Sequence, residues 1–361
     1  METHIFDDAN KEKHGIIKKI YPDKAEFYGN LSSNEMKNGE GIYFYPNGDV
    51  YLGQWQNDIF HGYGSYIFQI GERYEGYLDQ GRKTGKGKYF YVNGNIYDGD
   101  WRNDKKNGFG NYFYKTTGET YIGEWRDGMR HGQGEYQFCY GDIYKGQWDN
   151  DRKHGEGSLK YTSNGEYIGT WDNDLANGRG IMRYNNGDQY EGEWRNGVKE
   201  GHGTYKFHDQ SIYTGDWKND EKNGKGEFRY ANQDFYSGDW RDGEKSGIGH
   251  YEYGNGDVYE GEWKHDKRNG NGVLILANQD EYEGEWIDGE KNGRGIYKFK
   301  NGDEYEGYWQ HGQRNGKGIY RWNTGEYYVG EWRGDRMNGA GEIYSVDGSK
   351  QNVMLRNDEI E

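Results

Sequence analysis

The chain has 361 residues, 46 Lys and Arg against 62 Asp and Glu, and a net charge of −16. It contains 62 Gly, 37 Tyr and 13 Trp but only one cysteine. A single cysteine excludes a disulfide framework and a multi-cysteine metal site. The negative charge argues against broad binding of nucleic acid. Because aromatic residues reach 17% while all hydrophobic residues reach only 31%, we expect a thin aromatic core rather than disorder.

The first ten residues lack the basic start and the apolar stretch of a signal peptide, and Glu2 excludes N-myristoylation. No apolar run is long enough to predict a transmembrane helix. These features predict a soluble, cytoplasmic protein.

Residues 1–27 are predicted to form an N-terminal cap and a degenerate strand. The segment from His14 to Tyr21 contains Ile16, Ile17 and Ile20, which would help a strand to cover the open edge of a sheet. An edge that is only partly covered can pair with a second chain, so this segment also predicts dimerisation.

Residues 28–349 consist of about fourteen tandem repeats of 23 residues. Each repeat is counted from an anchor tyrosine, with Gly at +2, Trp at +4 in most repeats, and a second glycine pair at +11 and +13. A degenerate repeat begins near Tyr28 and includes Gly39 and Gly41. The other anchors are Tyr51, Tyr74, Tyr97, Tyr121, Tyr144, Tyr167, Tyr190, Tyr213, Tyr236, Tyr259, Tyr282, Tyr305 and Tyr328.

The repeated positions share one parity, which is typical of β-strands. Tyr121, Gly123 and Trp125 would point to one face of a strand, and Gly132 and Gly134 to the same face of the next strand. A helix would scatter these residues around its circumference, and this density of glycine would destabilise it.

Polar segments such as 103–107 within a repeat and 47–49 between repeats have the chemistry of turns. The sequence therefore predicts an all-β fold, an elongated single-sheet antiparallel β-meander solenoid of tandem 23-residue hairpins. We expect each glycine to lie beneath a Tyr or Trp ring of a neighbour, so that the ring packs flat on the backbone.

Residues 350–361 are predicted to form a C-terminal capping strand and a tail. Val353 and Leu355 would cover the second open edge of the sheet. With the N-terminal segment, this edge predicts a homodimer formed through the terminal edge strands.

Segments such as Tyr-Glu-Gly-Glu-Trp at 190–194, 259–263 and 282–286, each followed by a Gly-x-Gly pair, resemble the MORN (membrane occupation and recognition nexus) repeat. The resemblance covers residues 28–349 and implies an all-β hairpin solenoid. The chain is most similar to arrays built almost wholly of repeats, which act as scaffolds in cytoskeletal, ciliary and membrane-contact structures. The resemblance implies protein partners and supplies no catalytic residue.

Basic residues recur at positions +8 and +9, and we name them the basic rim. We expect them in the long turn of each hairpin, where they could bind phosphoinositide head groups. The alternative is a solvated rim, because acidic residues such as Asp104, Asp127 and Asp151 share these turns. The basic rim comprises Arg82, Lys83, Lys105, Lys106, Arg130, Arg152, Lys153, Lys199, Lys222, Lys245, Lys267, Arg268, Lys291, Arg314 and Arg336.

No constellation outside the repeats indicates an enzyme. The Gly-x-Gly pairs do not extend to a dinucleotide-binding motif. His131 and His154 occupy equivalent positions in consecutive repeats and would lie ~9.6 Å apart, too far to share a zinc ion. We therefore expect no catalytic residue, no metal site and no cofactor. A ligand role for the aromatic ladder, such as binding a quaternary ammonium group, is a further alternative.

The sequence thus predicts a non-enzymatic scaffold for protein–protein interaction in a cytoskeletal, ciliary or membrane-associated assembly. The alternative is a phosphoinositide-binding membrane adaptor that uses the basic rim.

Overall fold

A computed structural model describes residues 16–360; residues 1–15, which include His14 of the predicted N-terminal cap, lie outside the described part. The chain divides into two compact units, 1–178 and 179–361. Between residues 16 and 360 the secondary structure consists of 31 strands without a helix. That part of the chain consequently offers no helix long and apolar enough to cross a membrane.

The first unit contains fourteen complete strands. They are β1 (Ile17–Ile20), β2 (Glu26–Leu31), β3 (Lys37–Phe44), β4 (Val50–Gln56), β5 (Ile59–Ile67), β6 (Arg73–Asp79), β7 (Arg82–Phe90), β8 (Ile96–Arg102), β9 (Lys105–Phe113), β10 (Thr120–Arg126), β11 (Met129–Gln137), β12 (Ile143–Asp149), β13 (Arg152–Tyr161) and β14 (Gly165–Asp172).

The strand β15 (Leu175–Tyr184) contains the division between the units, and sixteen strands follow it. They are β16 (Gln189–Arg195), β17 (Val198–Lys206), β18 (Ile212–Lys218), β19 (Glu221–Arg229), β20 (Phe235–Arg241), β21 (Glu244–Glu252), β22 (Val258–Lys264), β23 (Lys267–Ile275), β24 (Glu281–Ile287), β25 (Glu290–Lys298), β26 (Glu304–Gln310), β27 (Gln313–Arg321), β28 (Tyr327–Arg333), β29 (Arg336–Tyr344), β30 (Lys350–Arg356) and β31 (Glu359–Ile360).

From β1 to β14 and from β16 to β31, strands pair with their neighbours in sequence, and each of these pairings is antiparallel. In the first unit the pairing is continuous from β1 to β14. In the second unit it is continuous from β16 to β31. The predicted all-β class, an antiparallel meander of tandem hairpins, is confirmed.

From the second repeat onward, the turn within each repeat has only two residues, both with positive φ. In the turn between β8 and β9, φ is 49° at Asn103 and 67° at Asp104. This is the type I′ geometry that matches the twist of a hairpin and favours Asn, Asp and Gly. The longer turn predicted over residues 103–107 is wrong in extent, because residues 105–107 belong to β9.

The turn between repeats is held by side chains as well as by the backbone. Between β3 and β4, the amide of Asp49 donates to Oδ1 of Asn47 at 3.1 Å. The Asp49 carboxylate then accepts a hydrogen bond from the Tyr66 hydroxyl at 3.0 Å and another from the Gln69 amide at 2.8 Å. Because Gln69 lies in the next turn, this aspartate ties consecutive turns together.

Each anchor tyrosine lies across the glycines of its own repeat. Tyr51 is fully buried, and a Cβ atom at Gly53 or Gly64 would lie 2.6 or 2.4 Å from its hydroxyl oxygen. The hydroxyl group donates to the carbonyl of Gln54 at 2.9 Å. The expectation that each glycine lies beneath a ring of a neighbour thus holds for Gly64, which the Tyr51 ring of the neighbouring strand covers, whereas Gly53 is covered by a ring of its own strand.

The tryptophan at +4 connects one repeat to the preceding one. Nε1 of Trp101 donates to the carbonyl of Gly87 at 2.9 Å. Its ring meets the preceding anchor Tyr74 at 5.5 Å and its own anchor Tyr97 at 5.1 Å, both edge to face. Such contacts build a continuous aromatic core on one face of the sheet.

The glycine at +11 has a different role from the glycine at +13. Strand β11 contains a bulge where the register changes after the pair of Gly123 with Gly134. Gly132 in this bulge has φ of 58°, a conformation that glycine adopts without strain. The side chain of Glu124 accepts the exposed amide of Gln133 at 2.9 Å, which satisfies the bulged backbone.

The first repeat differs from the others at its anchor. Phe27, and not Tyr28, is fully buried, and its ring would contact a Cβ atom at Gly29 or Gly41. The two terminal segments form strands, β1 and β30. Val353 and Leu355 are buried in β30, whereas Ile17 and Ile20 of β1 are 46% and 62% exposed.

Candidate interaction surfaces

The basic rim lies in strands and faces two directions. All fifteen residues are the first or second residue of the second strand of a hairpin, so their predicted place in the turn is wrong. The five at +8 are exposed and the ten at +9 are half-buried. The exposed group is Arg82, Lys105, Arg152, Lys267 and Arg336.

The cations at +9 lie against the aromatic core. Nζ of Lys106 is 3.8 Å from the ring centroid of Trp125, 4.7 Å from that of Tyr112 and 5.7 Å from that of Tyr97. Ring faces attract cations, so the lysine is held between its own repeat and the next. Equivalent contacts are made by Lys83, Arg130, Lys153, Lys199, Lys222, Lys245, Arg268, Lys291 and Arg314.

These contacts argue against the alternative that the aromatic rings bind an external ligand such as a quaternary ammonium group. At each of these ten positions the cation site formed by the rings contains a side chain of the protein itself. An external ammonium group would have to displace that side chain, so the geometry favours packing over ligand binding. Sequence reasoning missed an eleventh such cation, Lys37, whose Nζ lies 5.0 Å from the ring centroids of both Tyr43 and Trp55.

The two-residue turn of the next repeat determines whether the half-buried cation at +9 has a carboxylate partner. Where that turn ends in Asp, as at Asp220, its carboxylate accepts the backbone amide of Lys199 at 2.9 Å and lies 3.6 Å from Nζ. Where it ends in Gly, no such carboxylate is present. Burial lowers the pKa of three lysines in this second class to about 8, namely Lys106, Lys222 and Lys291.

Three repeats lack a cation at +9. After two of them, leucine replaces the tryptophan at the next +4 position. Phe60 takes the cation position in the repeat that precedes Leu78, and Met337 takes it in the repeat that precedes Leu355. Both leucines occupy the tryptophan position and are buried. Ala176 is the remaining exception.

The face opposite the aromatic core carries an open groove in the second unit. The groove has a volume of about 1490 Å³ and is lined by residues of β23 to β30. Its lining combines glycine backbone with aliphatic and acidic side chains, among them Val273, Ile296, Ile319, Met354, Glu283 and Glu306.

Aliphatic and acidic residues alternate across these strands. Val273 pairs with Glu283, which pairs with Ile296 on its other side. Ile296 in turn pairs with Glu306, and Glu306 pairs with Ile319. We name this series, preceded by Glu260 opposite Val273, the Glu–aliphatic row.

The groove is acidic. Four glutamates and two basic residues line it, which gives a formal charge of −2; they are Glu283, Glu306, Glu331, Glu342, Arg294 and Lys317. Glu306 pairs with Arg321 at 3.1 Å, and Arg294 donates to the hydroxyl of Tyr308. Glu283 forms no ion pair within residues 16–360. Sequence reasoning missed the row, although positions +1 and +14 of the last repeats could have shown it.

Residues 16–360 contain no group of three or more His, Cys, Asp and Glu side chains placed to hold a metal ion. His131 and His154, considered as metal ligands above, each face a carboxylate: Asp149 at 3.1 Å and Asp172 at 3.4 Å.

Solved structures that resemble the chain do so only distantly, as three of them illustrate. The wild-type TCP10 domain of Danio rerio CPAP is 12% identical, with 61% of this chain and 92% of that chain covered and a TM-score of 0.24. The TCP domain of SAS-4 (dCPAP) in complex with a proline-rich motif of Ana2 of Drosophila melanogaster is 12% identical, covers 74% and 89%, and has a TM-score of 0.14. Virginiamycin B lyase from Staphylococcus aureus is 13% identical, covers 92% and 89%, and has a TM-score of 0.13. Scores this low carry no functional argument, and no curated protein matches the chain.

The MORN repeat model matches fourteen consecutive segments: residues 33–50, 51–73, 74–96, 97–117, 121–143, 144–166, 167–189, 190–212, 213–235, 236–258, 259–281, 282–304, 305–327 and 328–350. These segments coincide with the hairpins whose anchors, glycines and tryptophans form the aromatic core. The chain therefore belongs to the MORN repeat family.

Proposed function

We propose that this protein is a non-enzymatic scaffold for protein–protein interaction and that the groove across β23 to β30 is its interaction surface. One observation supports the proposal. The core of each repeat lies on the aromatic face, so Ile296 and Ile319 line the groove without belonging to that core. Aliphatic side chains collected on a second face are typical of an interaction surface.

The proposal is tested by affinity isolation with matched variants. Ile296→Asp combined with Ile319→Asp places charge in the groove, whereas Ile122→Asp places it at an exposed repeat position in the first unit. We expect partner proteins to be isolated with the wild type and with Ile122→Asp and to be lost with the groove variant. Circular dichroism and thermal unfolding confirm that all three proteins are folded. Retention of the same proteins by the groove variant would exclude the groove as the interaction surface.

For the assembly, we propose a cytoskeletal, ciliary or membrane-associated structure and a homodimer formed through the terminal strands. The exposed Ile17 and Ile20 of β1 and Ile360 of β31 support the dimer, because exposed apolar edge strands favour pairing with another chain. Sedimentation equilibrium at micromolar concentration tests it: replacing Ile17 and Ile20 by Lys should shift a dimer to a monomer, and a wild-type monomer would contradict the proposal.

A second candidate function is binding to anionic membranes through the five exposed residues of the basic rim. The exposure of these five residues favours membrane binding. Because the other ten are half-buried against aromatic rings, fewer positive charges are available to a membrane than the sequence indicates. Reversing Lys105 and Arg152 to Glu should abolish flotation with phosphoinositide-containing vesicles and leave the aromatic core intact. Neutral vesicles provide the control, and no flotation of the wild type would reject membrane binding.

A further inference from the structure

We propose that Lys291 forms a binding site for a carboxylate group at the hairpin-turn edge of the aromatic face, and that Lys106 and Lys222 form weaker sites of the same kind. The carboxylate belongs to a small organic acid or to an Asp or Glu side chain of a partner protein. The site at Lys291 lies on the face opposite the groove, so it goes beyond the scaffold function proposed above and does not depend on it.

The repeats themselves show how a carboxylate is held at this edge. Where the second residue of a two-residue turn is Asp, its side chain accepts the backbone amide of the +9 residue in the preceding repeat. All eight such turns within residues 16–360 form this hydrogen bond, at 2.7 to 2.9 Å. In one of them, the carboxylate of Asp220 also lies 3.6 Å from Nζ of Lys199. An amide and an ammonium group of one residue therefore bind the carboxylate together.

At Lys291 the corresponding turn, residues 311–312, ends in glycine and supplies no carboxylate. The Lys291 carbonyl accepts the amide of Gly312 at 2.9 Å. Since the amide and carbonyl of one strand residue point to the same side, the Lys291 amide faces this turn as well. No side chain within residues 16–360 accepts that amide, so it remains available to an external acceptor.

The ammonium group of Lys291 completes the site. Its Nζ lies 4.3 Å from the ring centroid of Trp309 and 4.7 Å from that of Tyr297, and it forms no ion pair in the described part of the chain. A Cβ atom at Gly312 would have no other atom within 4 Å. The fold thus leaves room for a carboxylate where other repeats place their own.

Only some of the six turns that end in Gly offer both groups. Phe60 and Ala176 supply no cation at +9. Nη2 of Arg268 donates to the carbonyl of Gly289 at 2.9 Å, so this guanidinium group already has an acceptor in the turn. The remaining cations at +9 before a Gly turn are Lys106, Lys222 and Lys291.

The first residue of the turn ranks these three sites. Asp127 and Asp242 occupy this position in the turns that follow Lys106 and Lys222, and their negative charge opposes a second carboxylate. The turn at Lys291 has His311 instead. We therefore expect the tightest binding at Lys291.

The charge state of Lys291 is compatible with an anionic ligand. Burial lowers its pKa to about 8, an effect that Asp335 opposes and that Arg314 and Arg268 reinforce. The ammonium form consequently predominates at about pH 6.5. The nearby arginine charges favour an anion in addition.

The test follows the backbone amide of Lys291 in NMR spectra of the full-length protein at about pH 6.5 while sodium acetate is added. We expect a saturable downfield shift of this amide, because it gains a charged hydrogen-bond acceptor, and smaller shifts at Lys106 and Lys222. The amide of Lys245 should not move, since it already donates to Asp266 at 2.9 Å. Sodium chloride at the same ionic strength controls for screening.

Two turn variants exchange the properties of two repeats. Gly312→Asp creates the His-Asp sequence of the turn at 265–266 and should abolish the acetate response at Lys291. Asp266→Gly creates the His-Gly sequence of the turn at 311–312 and should produce a response at Lys245. Both turn types already exist in the chain, with φ of 62° at Asp266 and 79° at Gly312, so the fold accommodates both changes.

Peptides identify the source of the carboxylate. Acetyl-Gly-Gly-Asp-Gly-Gly-amide is compared with acetate and with the same peptide containing Asn. Tighter binding of the Asp peptide than of acetate supports the site and assigns it to a partner side chain. Binding no tighter than that of acetate supports the site and assigns it to a small organic acid. Equal binding of the Asn peptide would overturn recognition of a carboxylate.

The NMR results decide the proposal in the protein itself. The absence of an acetate response at Lys291, an equal response at Lys245 in the wild type, or an unchanged response in Gly312→Asp would overturn it. None of these results alters the test of the scaffold function, because Ile296 and Ile319 lie on the opposite face.

Discussion

The glycines of each repeat are required for two separate physical reasons. Those at +2 and +13 make room for the anchor ring, because a Cβ atom at Gly192 would lie 2.5 Å from the Tyr190 hydroxyl and 2.6 Å from Cα of Gly203. The glycine at +11 has a positive φ, as at Gly201 with 70°. Alanine is therefore excluded by contact at the first positions and disfavoured by backbone conformation at the second.

We predict that Gly192→Ala destabilises the protein more than Gly243→Ala. At Gly192 the new methyl group displaces a buried ring, which costs about 2–3 kcal/mol. Gly243 has φ of 85° and open space around it, so alanine there costs only about 1 kcal/mol of backbone strain. Urea unfolding followed by tryptophan fluorescence measures both variants, and equal midpoints would contradict the ring-packing explanation.

The buried lysines predict a dependence of stability on pH. Burial lowers the pKa of Lys106, Lys222 and Lys291 to about 8 from a usual value of 10.5. These three lysines thus bind more protons in the unfolded chain than in the folded chain between these values, and their contribution to the free energy of unfolding should increase as pH rises from about 8 to 10. Burial raises the pKa of the anchor tyrosines above the usual value of 10, so the unfolded chain loses its tyrosine protons first, and this titration lowers the free energy of unfolding as pH approaches and passes 10.

The triple substitution of these lysines by Met checks the assignment. It keeps a long apolar side chain against the rings and removes the titrating group. The unfolding free energy of the wild type minus that of the variant should increase as pH rises from 8 to 10, because the tyrosine contribution is common to both proteins. An unchanged pH profile would show that other groups control it.

At the scale of the element, the hairpin is defined by a two-residue turn and a bulge. The turn sets the pairing of residues next to it, such as Arg195 with Val198, and the bulge shifts the register before the pair of Gly192 with Gly203. The side chain at +3 satisfies the bulged amide. This explains why acidic residues recur at +3 on the face opposite the core.

We predict that Glu285→Ala destabilises its hairpin and that Glu283→Ala does not. Glu285 accepts the amide of Arg294 at 3.0 Å, a hydrogen bond to a charged group worth about 1 kcal/mol at an exposed site. Glu283 lies two residues away without such a bond. Hydrogen exchange of the Arg294 amide should accelerate only in Glu285→Ala, and equal exchange in both variants would argue against the bulge role.

At the scale of the whole molecule, every described strand pairing joins neighbours in sequence. Stability in such a chain is approximately a sum over repeats and their interfaces. Within each unit, the tryptophan hydrogen bond and the cation at +9 form part of these interfaces. The loss of one terminal repeat should consequently remain a local event.

Removal of residues 328–361 tests this locality. We expect faster hydrogen exchange in β27, which loses its neighbour β28, and in β26, which lies next to β27. Protection in β16 to β22 should be unchanged. Urea unfolding should begin at a lower concentration because the variant lacks β30, whose Val353 and Leu355 are buried. Global loss of protection would instead indicate one cooperative unit.

Part of the basic rim could have been placed correctly from the sequence. Arg130 has the same parity as Gly132 and Gly134, so the argument that put those glycines on the aromatic face applies to it as well. The neighbouring +8 position has the opposite parity and is exposed. By contrast, the pairing of Lys199 with Asp220 of the next repeat depends on the register between hairpins, which no local pattern specifies.

The sequence by itself determined the alternation of strands and turns and the antiparallel meander, although not the length of the turn at 103–107, because period-two alternation and turn residues act over a few positions. Only the tertiary structure decided which ring covers which glycine, where each basic side chain lies, and how Glu283, Ile296 and Glu306 form one row. These features arise between residues in different hairpins, and their distances are set by register and by packing across strands. The repeat specifies its own fold locally, whereas its surfaces exist only once the repeats are paired.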